Sequence, residues 1–213
     1  MRYKAILFDM DGTLLDTLTD MADAVNHILS VHGWPLRTTE EVRAFVGNGA
    51  RRLMERAVPP EVTGGDFETV LTEYRDWYQA HNCVATAPYP GIPALLAELA
   101  EAGIKTAVVS NKPDATTKTL AARFFPGLPA FGQRDDVPPK PAPDLVFRAL
   151  ETLAVDAADA IYVGDSEVDV ATARNAGLPM TAVSWGFRGR RALAEAGAAV
   201  IVEAAAELLE VLR

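Results

Sequence analysis

The chain has 213 residues, 49% hydrophobic and 23% charged, with a formal net charge of −9 at pH 7. That length holds one full core, with or without a smaller inserted unit, and the composition is globular rather than disordered, collagenous or disulfide-built. The acidic balance speaks against nucleic acid as a partner, and a site for an anion must supply its own local cations.

In chain order, the opening MRYKAILFDMDG carries acids where an export signal would need an apolar run. Within it, KAILFD (residues 4–9) has the pattern of a buried strand stopped by Asp9. Residues 16–86 then read as helix after helix: DTLTDMADAVNHILSVHG, TTEEVRAFVGNGARRLMERAV and DFETVLTEYRDWYQAHN. A series without intervening strands does not belong to a βαβ succession, so a small α-helical domain is predicted as an insertion. The chain would leave the core near Asp16 and return near Ala87–Pro90, giving a core of 1–15 and 87–213 and a helical domain of 16–86.

From residue 91 onward strand and helix alternate. Helices are predicted over 92–103, 113–125, 142–155 and 167–177, with EAAAELLEVLR ending the chain. Strands are predicted over 104–111, 159–165, 180–186 and 198–203. Near-continuous apolar strands imply a sheet buried on both faces, so the fold class is α/β, a doubly wound parallel sheet with a Rossmann-like core and the helical insertion. No run of roughly 18 residues lacks charges and turn formers, so no membrane span is expected. Cys83 is the single cysteine and His27, His32 and His81 are scattered. A reducing, cytoplasmic location is the expectation, with no zinc site. No heptad or exposed strand edge points to an oligomeric state.

Four short segments carry chemistry. In DMDGT (9–13), Asp9 ends a strand and Asp11 projects to the same face, Gly12 permits a sharp turn, and Thr13 adds a hydroxyl. Alone, this could be an ordinary Asp-Gly turn. GDSEVD (164–169) follows another strand, with Asp165 at its end and Asp169 one helical turn on; by themselves these acids could be helix caps. Together, two pairs of acids at neighbouring strand ends repel, and Mg²⁺ relieves such repulsion. In VVSNK, Ser110 and Asn111 offer a hydroxyl and backbone N–H groups for an anion. Lys140 in PPKPAPD is held by flanking prolines, where a surface lysine would otherwise be solvated. A carboxylate nucleophile, a second carboxyl, a metal, a lysine and an anion seat are the parts of phosphoryl transfer.

DMDGT, VVSN, KPAPD and GDSEVD, in that order, resemble the four motifs of haloacid dehalogenase-like phosphatases, and the helical insertion resembles their cap. FVGNGARRLMERA, YPGIPALLAELAEAGIKTAVVSNK and VSWGF are most similar to phosphoglycolate phosphatases. The resemblance spans essentially the whole chain. It implies that Asp9 attacks phosphorus and that Asp11 protonates the leaving group and then activates water. It implies that Mg²⁺ is held by Asp9, the Asp11 carbonyl and Asp165, with Asp169 acting behind them on metal waters or on Lys140. Ser110, Asn111 and Thr13 would bind the phosphate, and Lys140 would orient Asp9. The substrate implied is a small phosphomonoester. Two departures stand out: RFFPGLPAFGQRDDVPPK shows only a weak strand where the family has a clear one, and GFRGRRALAEAG resembles a subgroup whose physiological substrates the phosphoglycolate label does not fix.

Competing readings are a sugar-phosphate mutase on the same scaffold, a receiver-type signalling domain, and a dehalogenase. The receiver reading leaves the helical insertion and GDSEVD without a role, and C–halogen cleavage does not need Asp11. Within the insertion, Gly47 and Gly49 flank Asn48 ahead of a helix that carries Arg51 and Arg52. This segment reads either as the reader of a substrate carboxylate, with Gly47, Asn48 and Arg51 in contact, or as a tight helix–helix turn with solvent-facing arginines.

Overall fold

The structure is a computed structural model of the chain and describes residues 2–212. Its elements are β1 (Ala5–Phe8), β2 (Leu15–Asp16), α1 (Leu18–Val31), α2 (Thr39–Phe45), α3 (Gly49–Ala57), α4 (Gly64–His81), β3 (Ala87–Pro88) and α5 (Ile92–Glu101). They continue with β4 (Lys105–Pro113), α6 (Asp114–Phe124), β5 (Ala130–Gln133), α7 (Asp144–Leu153), β6 (Ala160–Gly164), α8 (Glu167–Ala176), β7 (Met180–Val183), α9 (Gly189–Glu195), β8 (Ile201–Val202) and α10 (Ala205–Leu212). Arg213, in the predicted last helix, lies outside the described residues.

Six parallel strands form the main sheet in the order β5-β4-β1-β6-β7-β8. Side chains alternate across a strand, and here both sides are buried. Ile6 and Phe8 of β1 enter one apolar cluster with α5, α6 and α10, while Ala5 and Leu7 enter the other with α7 and α8. β6 divides likewise, Ile161 and Val163 against Ala160 and Tyr162. A strand with two buried faces has no polar positions, hence the unbroken apolar runs. The chain builds outward from β1 through β4 to β5, then crosses back to β6 on the other side of β1. That reversal opens a crevice at the carboxyl ends of β4, β1 and β6, where open α/β sheets hold ligands.

All five predicted strands are present. β5 is the weak one: it lies at the sheet edge and three of its four residues are only half-buried, so its sequence carries little apolar signal. The short helix α9 and the antiparallel ribbon of β2 with β3 were not anticipated.

Helices α1–α4 share an apolar cluster that includes Leu29, Met54, Leu71 and Tyr74, joined by Phe187 from the sheet side. The segment's two connections run side by side, with Leu15 opposite Pro88 and Asp16 opposite Ala87. Buried Asp20 at the start of α1 locks the returning strand. Its carboxylate accepts from the backbone N–H groups of Val84, Ala85 and Thr86 at 3.1, 2.8 and 2.9 Å, and from Thr86 Oγ1 at 2.7 Å. Among the described residues no helix is long and apolar enough to cross a membrane.

Candidate active site

β1 stops where its ladder does. The Asp9 N–H donates to Val163 at 2.8 Å, and the Met10 carbonyl then accepts from the N–H groups of Thr13, Leu14 and Leu15, rolling the chain into a tight turn. Gly12 sits in that turn at φ +86°, and a Cβ there would lie 2.3 Å from Asp165 Oδ2. Gly186, beyond β7, is hemmed in equally: its Cβ would fall 2.3 Å from both Asp165 Oδ2 and the Gly12 carbonyl. Backbone without side chains is what lets three loops close around one carboxylate.

Asp165 follows β6 and is buried; it accepts from Thr13 Oγ1 at 3.2 Å and from the Phe187 N–H at 2.7 Å. Asp169 begins α8 in a reciprocal cap with Ser166, taking the Ser166 hydroxyl at 2.6 Å and its N–H at 3.1 Å on Oδ2. Oδ1 of the same carboxylate faces Lys140 Nζ at 2.8 Å. Lys140 also reaches Asp9 Oδ1 at 2.9 Å and donates to Tyr162 Oη at 3.0 Å.

Asp9, Asp165 and Asp169 can bring one oxygen each within 4.8 Å of one another, all buried. Three acids against one lysine leave an excess of negative charge in a low-dielectric site. Burial pushes Asp9 up to about 7; Asp169 and Asp11 add to the rise and Lys140 opposes it. Burial, then Asp169 and Asp9, also hold Asp165 well above the carboxylate range, against the Phe187 N–H and Arg188. For Lys140, burial works to lower the ammonium, but Asp169, Asp9 and Tyr162 outweigh it and keep it well above its ordinary value. An all-oxygen, electron-rich cluster with unbalanced charge fits a hard divalent cation.

Asp11 turns away from that cluster. Its Oδ1 lies 3.0 Å from Lys112 Nζ and accepts from Thr17 Oγ1 at 2.7 Å. Buried Lys112 also donates to Tyr78 Oη of α4 at 2.8 Å and lies 4.6 Å from the centroid of its ring. One lysine therefore joins a carboxylate at the carboxyl end of the sheet to a tyrosine of the helical segment.

Between the two parts lies a cavity of about 330 Å³. Asp9, Asp11, Ser110, Asn111, Lys112, Lys140 and Asp165 line its floor, and Met21, Leu53, Tyr74, Arg75, Tyr78 and Gln79 line its roof. Asn111 ties the two together: its Oδ1 accepts from the Lys140 N–H at 2.7 Å, and its Nδ2 donates to the Lys140 carbonyl at 3.0 Å and the Gly47 carbonyl at 3.2 Å. Arg188 of the loop after β7 does the same from the other side, donating to the carbonyls of Arg43 at 2.8 Å and Val46 at 2.5 Å while pairing with Glu167 at 3.0 Å. Gly47 and Gly49 face these contacts, their Cβ positions lying 3.2 Å from Arg188 and 3.1 Å from the Asn111 carbonyl.

Most of the predicted residues line this cavity; Asp169 lies behind it on Lys140, and three others also stand outside. Thr13 does not line the cavity; it is buried beneath Asp165, and its hydroxyl positions that carboxylate. Asn48 also lies outside it, its Oδ1 accepting from Arg56 at 3.0 Å. Arg51 points outward, where its two terminal nitrogens lie 2.9 and 2.7 Å from the oxygens of Glu68. An i,i+17 partner on the next helix cannot be read from the local segment, so the guanidinium looked available. Lys112, Tyr78, Arg75 and Arg188 were not singled out. Lys112 carried the same cue as Lys140, a lysine directly before a proline; the others carried none.

An acidic cluster and a held lysine at the switch point of a doubly wound sheet, under a helical roof, are the parts of phosphoryl chemistry, and the relatives make the class that of the phosphatases. The family described as haloacid dehalogenase-like hydrolase matches residues 6–183. The chain is 34% identical to an N-acetylmuramic acid 6-phosphate phosphatase of Pseudomonas aeruginosa, over 100% of this chain and 96% of that one. It is also 34% identical to a phosphoglycolate phosphatase of Pseudomonas savastanoi, over 94% of this chain and 76% of the relative. A crystal structure from Lactobacillus delbrueckii subsp. bulgaricus, ascribed to a phosphoglycolate phosphatase, shares 36% identity and superposes with a TM-score of 0.94, covering 100% of this chain and 99% of that one. The chain belongs to the haloacid dehalogenase-like hydrolase family.

Proposed function

We propose that this phosphatase is a Mg²⁺-dependent hydrolase of small phosphomonoesters that works through an aspartyl-phosphate on Asp9, with residues 16–86 as its cap. The observation that carries the reading is the placement of Lys140 between Asp9 and Asp169 at the floor of the cavity. A carboxylate attacks a phosphate ester only if charge on both is neutralised and the attacking oxygen is held still. Lys140 holds Asp9 by its Oδ1 and leaves the other oxygen for attack. Mg²⁺, held by Asp9 and Asp165 with the Asp11 carbonyl, would supply charge neutralisation on the transferring phosphoryl group. Asp169 keeps Lys140 and Ser166 in place behind that cluster.

Asp11 serves as the proton-transfer group. It lines the cavity beside Asp9, and Lys112 and Thr17 fix its orientation. In the first step it gives a proton to the leaving alkoxide; in the second it takes one from the water that attacks the phosphorylated Asp9. Ser110 and the Asn111 backbone bind phosphoryl oxygens, and the roof shields the intermediate from bulk water. Phosphoglycolate-like substrates are the starting expectation, by similarity to the phosphoglycolate phosphatases among the relatives.

The test is a panel of phosphomonoesters assayed with Mg²⁺ and with EDTA, on the natural chain and on Asp9→Asn. Asp9→Asn should lose on the order of 10³-fold or more in turnover while keeping its circular dichroism and melting profile. Activity within about tenfold of the natural enzyme, or full activity in EDTA, removes the covalent or the metal assignment respectively.

A further inference from the structure

The cations around the cavity are not equivalent. Lys140 is engaged by Asp9 and Asp169, Lys112 by Asp11 and Tyr78, and Arg188 by Glu167 and two backbone carbonyls. Arg75 of α4 also lines the cavity, and it forms neither an ion pair nor a hydrogen bond with any described residue. The Glu68 carboxylate, on which the Arg75 charge acts at a distance, is already taken by both arms of Arg51. Within the roof, Arg75 is thus the cation left for a ligand.

The surroundings describe what the ligand looks like. Tyr74 and Tyr78, one helical turn apart, present parallel rings with centroids 5.8 Å apart. Burial holds both phenols far above their ordinary pKa, so they remain neutral. Leu53 and Met21 add apolar surface, and Asp76 offers an acceptor for ligand hydroxyls. About 330 Å³ equals the space of roughly eleven liquid waters, more than a two-carbon phospho acid fills, and it falls within the range of pockets for ring-sized ligands.

We propose that Arg75 is the residue that reads the substrate's leaving group, and that this group is a sugar-sized, hydroxylated body bearing a carboxylate. The inference rests on the phosphatase reading above and replaces Arg51 as the carboxylate reader. The phosphoryl group sits on the floor at Asp9, the ring lies along Tyr74 and Tyr78, and the carboxylate takes the Arg75 guanidinium in a charge-assisted pair.

A matched pair of substrates tests this. N-acetylmuramic acid 6-phosphate and N-acetylglucosamine 6-phosphate differ by the lactyl ether that carries the carboxylate. The natural enzyme should prefer the first by about 10- to 100-fold in kcat/KM. Arg75→Ala should remove most of that preference, lowering the carboxylated ester and changing its partner by less than about threefold, and Arg75→Lys should restore part of it. An unchanged preference in Arg75→Ala, equal losses on both esters, or a natural enzyme that favours phosphoglycolate over the carboxylated sugar overturns the assignment. If p-nitrophenyl phosphate is hydrolysed in those cases, the phosphatase reading survives alone; if the natural enzyme hydrolyses none of these esters, both fall.

Discussion

Lys140→Met removes a charge while keeping most of the side chain's apolar stem, and the structure sets what should follow. The ammonium is buried, 2.9 Å from Asp9, 2.8 Å from Asp169 and 3.0 Å from Tyr162 Oη. Taking one partner from a buried ionic cluster leaves the other charges uncompensated, which costs about 3–5 kcal/mol. At this chain length each kcal/mol lowers the melting temperature by about 2–4 °C, so a fall of roughly 6–20 °C is expected. The loss should depend on pH with a definite sign. Asp9 has its folded pKa raised from 3.8 to about 7, so it already erodes stability as pH climbs through that window. The Lys140 charge holds that value down; without it, the folded variant retains protons that the natural protein has released. Its stability therefore keeps falling with pH where the natural protein has levelled off, and the gap between them widens from about pH 5.5 to about pH 8. Urea denaturation in EDTA, followed by tryptophan fluorescence at both pH values, measures this. A loss below about 1 kcal/mol at both, or one larger at acid pH, would refute the electrostatic account of the site.

Mg²⁺ should raise the melting temperature, and by more at about pH 8 than at about pH 5.5, because the cation competes with protons for Asp9 and Asp165; equal shifts at both values in a thermal-shift assay would place the ion elsewhere. Gly186→Ala should lower turnover on the order of 10²-fold, since its Cβ would lie 2.3 Å from Asp165 Oδ2 and from the Gly12 carbonyl, so that a loop must move. Activity within about twofold of the natural enzyme would mean that this approach is not needed for the chemistry. Arg188→Ala should speed amide exchange across residues 43–49 several-fold, because two backbone carbonyls lose their only bond to the sheet side by this arginine. Unchanged exchange there would show that Asn111 alone holds the loop.

The fold was legible because burial on both faces writes itself into sequence. Runs such as AILF and AIYVG are apolar at every position and stop at an acid, which marks both the strand and the end at which ligands sit. The helical segment was equally plain, having three long helical patterns and no strand. Elements whose residues are half-buried or few were faint or escaped: β5 at the edge showed only as a weak strand, and the two-residue β2 and β3 and α9, with Leu193 alone buried, were missed. The floor of the site followed from the same logic, since Asp9, Ser110 and Asp165 are each the first polar residue after a buried apolar run.

The roof obeys no local rule, because it is assembled from partners far apart in the chain. Asn111 meets Gly47, Lys112 meets Tyr78, Thr116 meets Gln79 and Arg188 meets Arg43, across separations of 64, 34, 37 and 145 residues. Arg51 and Arg75 show the consequence: both lie on helices between β2 and β3, but Arg51 is taken by Glu68 seventeen residues on, whereas Arg75 lines the cavity. The same long-range wiring links recognition to chemistry. Asp11 is held by Lys112, and Lys112 by Tyr78 on the helix that also carries Arg75. A leaving group that keeps α4 from its place would break the Lys112–Tyr78 bond at 2.8 Å and loosen Asp11, the proposed proton-transfer group, along with the roof. Poorly fitting esters should therefore lose kcat together with binding, whereas a roof that merely held substrates in place would raise KM and leave kcat untouched. Comparing the two constants across the sugar phosphates distinguishes these cases, and an effect confined to KM would mean that the Asp11–Lys112–Tyr78 chain transmits nothing to the reaction.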